Sequence, residues 1–171
     1  MKKCLLLFYI CSICNFCFSQ NLNKLDIKYG FNKFKLETSY NLLKSQLELF
    51  DNIDNFKYCI YKGKDIESVF GVKVKKVTLT FYKNQLFQIN IFFDEDVDKY
   101  LYKDYVVEKL MSLYGNCSRK TDYSTGPLEY EWGYSWKSSK AYLSFDHSKN
   151  GETQIWIMSL KMNEKYAQDE F

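Results

Sequence analysis

The sequence predicts an α+β domain built from two tandem units, each a helix with antiparallel strands. The units share a mainly antiparallel sheet with the helices on one face. Three observations predict this fold: two segments with helical apolar spacing, several segments of alternating apolar and polar residues, and one offset that relates the two halves. The units cover approximately residues 30–93 and 94–162 of a single domain spanning residues 20–171.

Two segments place their apolar residues at helical spacing. In residues 39–50 three of the leucines (Leu42, Leu43 and Leu47) and Phe50 fall on one face, and Thr38 or Ser39 suits the N-cap position. Residues 98–114 repeat the pattern over a greater length, and Gly115 follows as a C-terminal stop. The sequence therefore predicts one helix in each unit.

Alternation of apolar and polar residues predicts the strands. In the second half, Trp132 shares its parity with other large aromatic residues, which we expect to face the helices. An Asn150-Gly151 pair is a favoured hairpin turn. The predicted strands are residues 30–36, 56–61, 77–82, 87–93, 128–137, 141–145 and 155–157.

An offset of 64 residues aligns the two halves. It places Leu43 on Val107 in the helices and Phe81 on Phe145 in the strands. With two extra residues in the second turn, residues 88–91 align with 154–157. One offset serving both a helix and a strand favours an internal duplication.

The first residues have the three zones of a secretory signal peptide. Lys2 and Lys3 precede an apolar stretch that ends before Ser19, and this stretch is too short for a spanning helix. Cys14 and Cys17 lack the flanking residues of a lipidation site. We therefore expect residues 1–19 to be cleaved, leaving a secreted or periplasmic protein with no lipid anchor and no transmembrane segment.

Cleavage leaves an almost neutral chain. Loss of Lys2 and Lys3 lowers the formal net charge from +3 to +1. Nucleic acids attract strongly basic proteins, so no nucleic-acid partner is expected. The four cysteines of the apolar stretch leave with it, and we predict neither a metal nor a cofactor.

The candidates for catalysis do not fit a known chemistry. Asp94, Asp96 and Asp98 have the spacing of a calcium loop, but the chain lacks the glycine and glutamate that such a loop requires. His147 stands near a predicted turn without a nucleophile motif, which is typical of an exposed surface histidine. We therefore predict no catalytic residue.

Two cysteines remain after cleavage, Cys59 and Cys117. An even pair outside the cytoplasm can be oxidised to a disulfide. Cys59 lies in a predicted strand and is equally suited to be a buried free thiol. The sequence leaves both alternatives open.

Aromatic side chains predict a binding surface. If the aliphatic residues of each strand face the helices, the opposite parity carries rings among Thr and Ser, which is typical of an interaction surface. We predict a non-enzymatic binding module for a protein or an envelope or extracellular ligand. The alternative is a small secreted hydrolase whose site is not readable from the sequence. The predicted binding residues are Tyr82, Phe92, Tyr142, Trp156 and Met158.

Overall fold

The computed structural model describes residues 24–94, 99–122, 130–148 and 151–169. The predicted signal peptide, residues 1–19, lies outside these ranges, as do Asp96, Asp98 and Asn150. The described helices are α1 (Lys24–Lys28), α2 (Tyr40–Leu43), α3 (Lys99–Tyr114) and α4 (Leu160–Asp169). The described strands are β1 (Gly30–Phe31), β2 (Phe34–Lys35), β3 (Leu47–Ile53), β4 (Phe56–Tyr61), β5 (Ser68–Val69), β6 (Val72–Tyr82), β7 (Gln85–Phe93), β8 (Arg119–Asp122), β9 (Tyr130–Lys137), β10 (Ala141–Ser148) and β11 (Thr153–Ser159).

The protein is an α+β fold with a large antiparallel sheet. Eight strands follow the order β3-β4-β6-β7-β11-β10-β9-β8, and β5 pairs with the start of β6. The turn between β6 and β7 consists of Lys83 and Asn84, whose φ angles of 46° and 64° suit a tight hairpin. The predicted strands over residues 77–82 and 87–93 are thus paired as an antiparallel hairpin.

One face of the sheet, here called the core face, is buried beneath α3. Because side chains alternate along a strand, the aliphatic residues of the central strands share this face. Val106 and Leu110 of α3 join the same buried cluster. The core-face residues of the central strands include Val77, Leu79, Phe81, Ile89, Ile91, Leu143, Phe145, Ile155 and Ile157.

The C-terminal helix lies on the opposite face, here called the second face. Met162 of α4 is buried with Tyr82 and Phe87, and Tyr166 packs against the same cluster. The prediction that the helices share one face is therefore not confirmed. Ser159 ends β11 and accepts a hydrogen bond from the backbone N–H of Met162, so α4 begins without a connecting loop.

The predicted helix over residues 39–50 is wrong beyond its first turn. The chain is α-helical only over Tyr40–Leu43, passes through a 3-10 turn over Lys44–Gln46, and continues as β3. β3 pairs with β4, which supplies backbone hydrogen bonds that replace those of a helix. The predicted strand over 30–36 is a two-stranded hairpin of β1 and β2.

The register of the central hairpins does not confirm the aligned repeat. Leu79 pairs with Ile89, and Leu143 pairs with Ile157. If Leu79 is equivalent to Leu143, as the offset of 64 requires, Ile89 must be equivalent to Ile157. The sequence alignment instead matched Ile89 with Ile155, so the two alignments do not describe one superposition.

Candidate ligand-binding groove

The second face carries polar side chains at the centre of the sheet. Strand pairing places the members of one row side by side from β4 to β9, and most of them are hydroxyl or amide residues. The row consists of Ile60, Thr78, Asn90, Trp156, Ser144 and Ser135.

A groove of about 530 Å³ opens above the part of this row formed by Thr78 and Asn90. The volume falls within the range usual for small-molecule sites. The aromatic residues that line it are Phe50, Phe56, Tyr58, Phe87, Phe92 and Tyr166, and the polar residues are Thr78, Thr80, Gln88 and Asn90.

One side of the groove is a continuous series of rings. The Tyr58 ring lies 6.2 Å from that of Phe50 and 6.1 Å from that of Phe56, measured between ring centroids. Phe56 in turn lies 5.1 Å from Tyr166 of α4. Phe50 is 56% exposed, so this side presents aromatic surface to solvent.

The floor is a hydrogen-bonded set of neutral groups. Gln88 Nε2 donates to Asn90 Oδ1 at 2.8 Å, and Asn90 Nδ2 donates to Thr78 Oγ1 at 3.2 Å. Each amide has two N–H donors and an oxygen with two lone pairs, so these bonds use part of its capacity. The floor is therefore fixed in orientation and retains groups that can bind a ligand.

Lys76 is the one charged side chain among the described residues that line the groove. Its Nζ lies 4.4 Å from the centroid of the Phe92 ring, which is a cation–π distance. This contact places the charge at one end of the groove, beside the aromatic ring.

A second cluster adjoins the floor at Trp156, which pairs with Asn90 across β7 and β11. The Trp156 indole N–H donates to Asp146 Oδ2 at 2.7 Å, and Ser144 Oγ donates to Asp146 Oδ1 at 2.7 Å. Burial raises the pKa of the Asp146 carboxyl, although both hydrogen bonds act to lower it. Tyr142 packs on the indole with 5.1 Å between ring centroids.

The side chains of the predicted binding residues all lie on the second face of the sheet, but their environments differ. Phe92 lines the groove, and Tyr142 and Trp156 are half-buried beside it. Tyr82 is only 2% exposed because α4 covers it, and its hydroxyl donates to the Asp169 carboxylate. Met158 packs against the same cluster beneath α4.

Phe92 is the one predicted binding residue among the described residues that line the groove. Gln88 and Asn90 share the parity of Phe92 on β7, and this alternation was a readable signal for the floor. Phe56 and Tyr58 similarly share one parity on β4. Tyr166 gave no such signal, because it lies in α4, outside the predicted strands.

The remaining candidates lie on the core side. His147 is buried rather than exposed: its ring stacks on Trp132 at 5.6 Å, and its Nδ1 is 2.7 Å from Thr153 Oγ1. Cys59 and Cys117 are free thiols, and burial raises the pKa of Cys59. Within the described ranges, His, Cys, Asp and Glu form no group that would hold a metal ion.

Comparisons with known proteins add a structural likeness. No protein-family model matches the chain, and no curated protein matches its sequence. The chain is similar to the crystal structure of a DUF4309 family protein, YjgB, from Bacillus subtilis. The TM-score is 0.48 and the identity 12%, and the match covers 82% of this chain and 94% of that chain.

No helix in the described part of the chain is long and apolar enough to cross a membrane.

Proposed function

We propose that the protein is an exported, non-enzymatic binding module that holds an envelope or extracellular ligand in the groove of its second face. Export follows from the signal peptide predicted over residues 1–19. In this proposal β6–β7 and β10–β11 are the strand hairpins of the two repeated units. They supply the groove floor and the adjoining Tyr142–Trp156 pair.

The observation that carries the proposal is the neutral, hydrogen-bonded floor beside an aromatic wall. Thr78, Gln88 and Asn90 offer donors and acceptors that do not ionise near neutral pH. Such groups recognise a ligand by hydrogen bonding, whereas acid–base catalysis needs a group that exchanges a proton. Asp146, the nearby buried carboxylate, is engaged at both oxygens by Trp156 and Ser144.

Groove variants test this proposal. The exported form of the protein is labelled, and its binding to the immobilised extracellular and cell-surface fraction of its own organism is measured. We expect Tyr58→Ala and Asn90→Ala each to weaken binding about tenfold or more, which corresponds to about 1.4 kcal/mol.

Matched controls lie away from the groove. Tyr105 is an exposed tyrosine of α3, and Asn52 is an exposed asparagine of β3. Tyr105→Ala and Asn52→Ala should bind as the unchanged protein does. Equal binding by the groove variants and these controls would contradict the proposal.

A further inference from the structure

We infer that the ligand of the groove is a neutral oligosaccharide bound through its vicinal hydroxyls, an inference that rests on the proposed function. It is carried by three properties of the site: the charge of its lining, the hydrogen-bonding capacity of its floor, and the rings beside that floor.

The charge of the lining favours a neutral ligand. Thr78, Thr80, Gln88 and Asn90 carry no charge, and Lys76 is the one charged group among the described lining residues. A polyanion would be bound by several cations along its length. One lysine that already contacts the Phe92 ring does not supply such a series.

The floor is suited to a ligand whose hydroxyl groups both donate and accept hydrogen bonds. Each sugar hydroxyl has one proton and two lone pairs, like the hydroxyl of Ser or Thr. The Gln88–Asn90–Thr78 set places amide donors, amide oxygens and a hydroxyl next to one another. Because these groups are already held by one another, little side-chain entropy is lost when they bind a ligand.

The aromatic rings of the groove are suited to the apolar C–H faces of a sugar. A pyranose ring has apolar C–H faces bounded by polar hydroxyl edges. Phe50 and Tyr58 present aromatic surface next to the amide floor. A ligand lying in the groove can therefore place its C–H face on the rings and its hydroxyls on the floor.

A peptide strand fits the same site less well. An extended peptide usually binds by pairing its backbone with a free sheet edge. The groove lies over β6 and β7, and each of these strands is paired on both sides. Their backbone groups are therefore committed to the sheet, and the floor of the groove offers side chains alone.

Chemical treatment of the immobilised fraction tests the inference. Mild periodate oxidation, followed by borohydride reduction, cleaves the vicinal diols of sugars. We expect it to lower binding of the unchanged protein at least tenfold, to the level of Tyr58→Ala. Proteinase K treatment of a parallel sample distinguishes a free polysaccharide from a glycan carried on protein, and either source supports the inference.

The outcomes separate this inference from the function on which it rests. If periodate leaves binding intact while Tyr58→Ala and Asn90→Ala still lose it, the groove does not bind a sugar through vicinal hydroxyls, and the inference is overturned. If the groove variants bind the untreated fraction as well as Tyr105→Ala does, the proposed function itself fails.

Discussion

Asp146 is a carboxylate that folding buries next to an aromatic ring. It is 5% exposed, and burial raises its pKa above the ordinary value of 3.8. For an acid whose pKa is raised in the folded state, the protonated form is the one that folding favours. The stability contributed by this group is therefore complete below about pH 4, and it is lost as the pH rises through the raised pKa.

Substitution with asparagine tests this assignment. Asp146→Asn removes the titration and leaves an amide oxygen that can accept from the Trp156 indole. We expect the variant to gain stability relative to the unchanged protein as the pH rises from 4 to 7. Urea unfolding midpoints over this range measure the difference; a constant difference would show that Asp146 does not titrate abnormally.

Gly30 allows a close backbone approach in the β1–β2 hairpin. A Cβ atom at this position would lie 2.1 Å from the carbonyl oxygen of Phe34. Because that neighbour is backbone, Gly30→Ala should cost about 3 kcal/mol of unfolding free energy.

Gly71 provides the matched control for Gly30. It has a φ of +78° but nothing within 4 Å of its Cβ position. Gly71→Ala should therefore cost only about 1 kcal/mol, for its left-handed backbone. Denaturant unfolding compares the two variants, and equal losses would mean that the Gly30 contact is not tight.

At the level of elements, Ser159 at the end of β11 forms hydrogen bonds with α4 and with Tyr29, which lies between α1 and β1. Its Oγ accepts from the Met162 backbone N–H at 3.1 Å and lies 2.6 Å from the Tyr29 hydroxyl. Burial, together with the Glu37 carboxylate, raises the pKa of Tyr29 to about 12. Tyr29 therefore keeps its proton and donates it to Glu37, while Ser159 donates to Tyr29.

Removal of this hydroxyl should destabilise the start of α4. We expect Ser159→Ala to cost about 1–2 kcal/mol, the usual value for a lost N-cap. Ser39 stands at the N-cap of α2 without a side-chain capping bond, so Ser39→Ala should change stability by less than about 0.5 kcal/mol. Thermal unfolding of both variants decides whether the cap matters.

The central strands could be predicted from the sequence, but β3 and α4 could not. Each of β6, β7, β10 and β11 buries one face, so apolar and polar residues alternate along its sequence, and this alternation can be recognised without the structure. Leu49, Phe50 and Ile53 of β3 are exposed, so no buried face marks this edge strand. α4 buries Met162 and covers part of the sheet with Tyr166, which is too few apolar residues for a readable period.

For the candidate site, the sequence predicts which face of the sheet a residue lies on but not whether its side chain is exposed. Strand parity correctly places Phe92, Tyr142 and Trp156 on the face opposite the core. The burial of Tyr82 depends on α4, and the exposure of Phe50 depends on β3, so neither could follow from strand alternation alone. Which rings of the face contact solvent is set by tertiary packing.

At the scale of the whole molecule, export and thiol content can be measured together. We expect the exported protein to lack residues 1–19 and to contain two thiols, Cys59 and Cys117, because both are free in the fold. Intact mass and thiol titration in denaturant check this expectation. In the native state Cys59 should react slowly, since it is buried. A retained leader, or fewer than two thiols in unreduced protein, would contradict it.

The three tryptophans give the molecule a built-in optical reporter. Trp132 stacks on His147, and Trp136 donates to the Gly115 carbonyl oxygen, so both belong to the core side. Trp156 lies on the second face, paired with Asn90 of the groove floor. A ligand that contacts Asn90 should therefore change the fluorescence emission of Trp156, and Trp156→Phe should abolish that response while the emission of the other two indoles persists. Binding in the groove can thus be followed without attaching a dye to the protein.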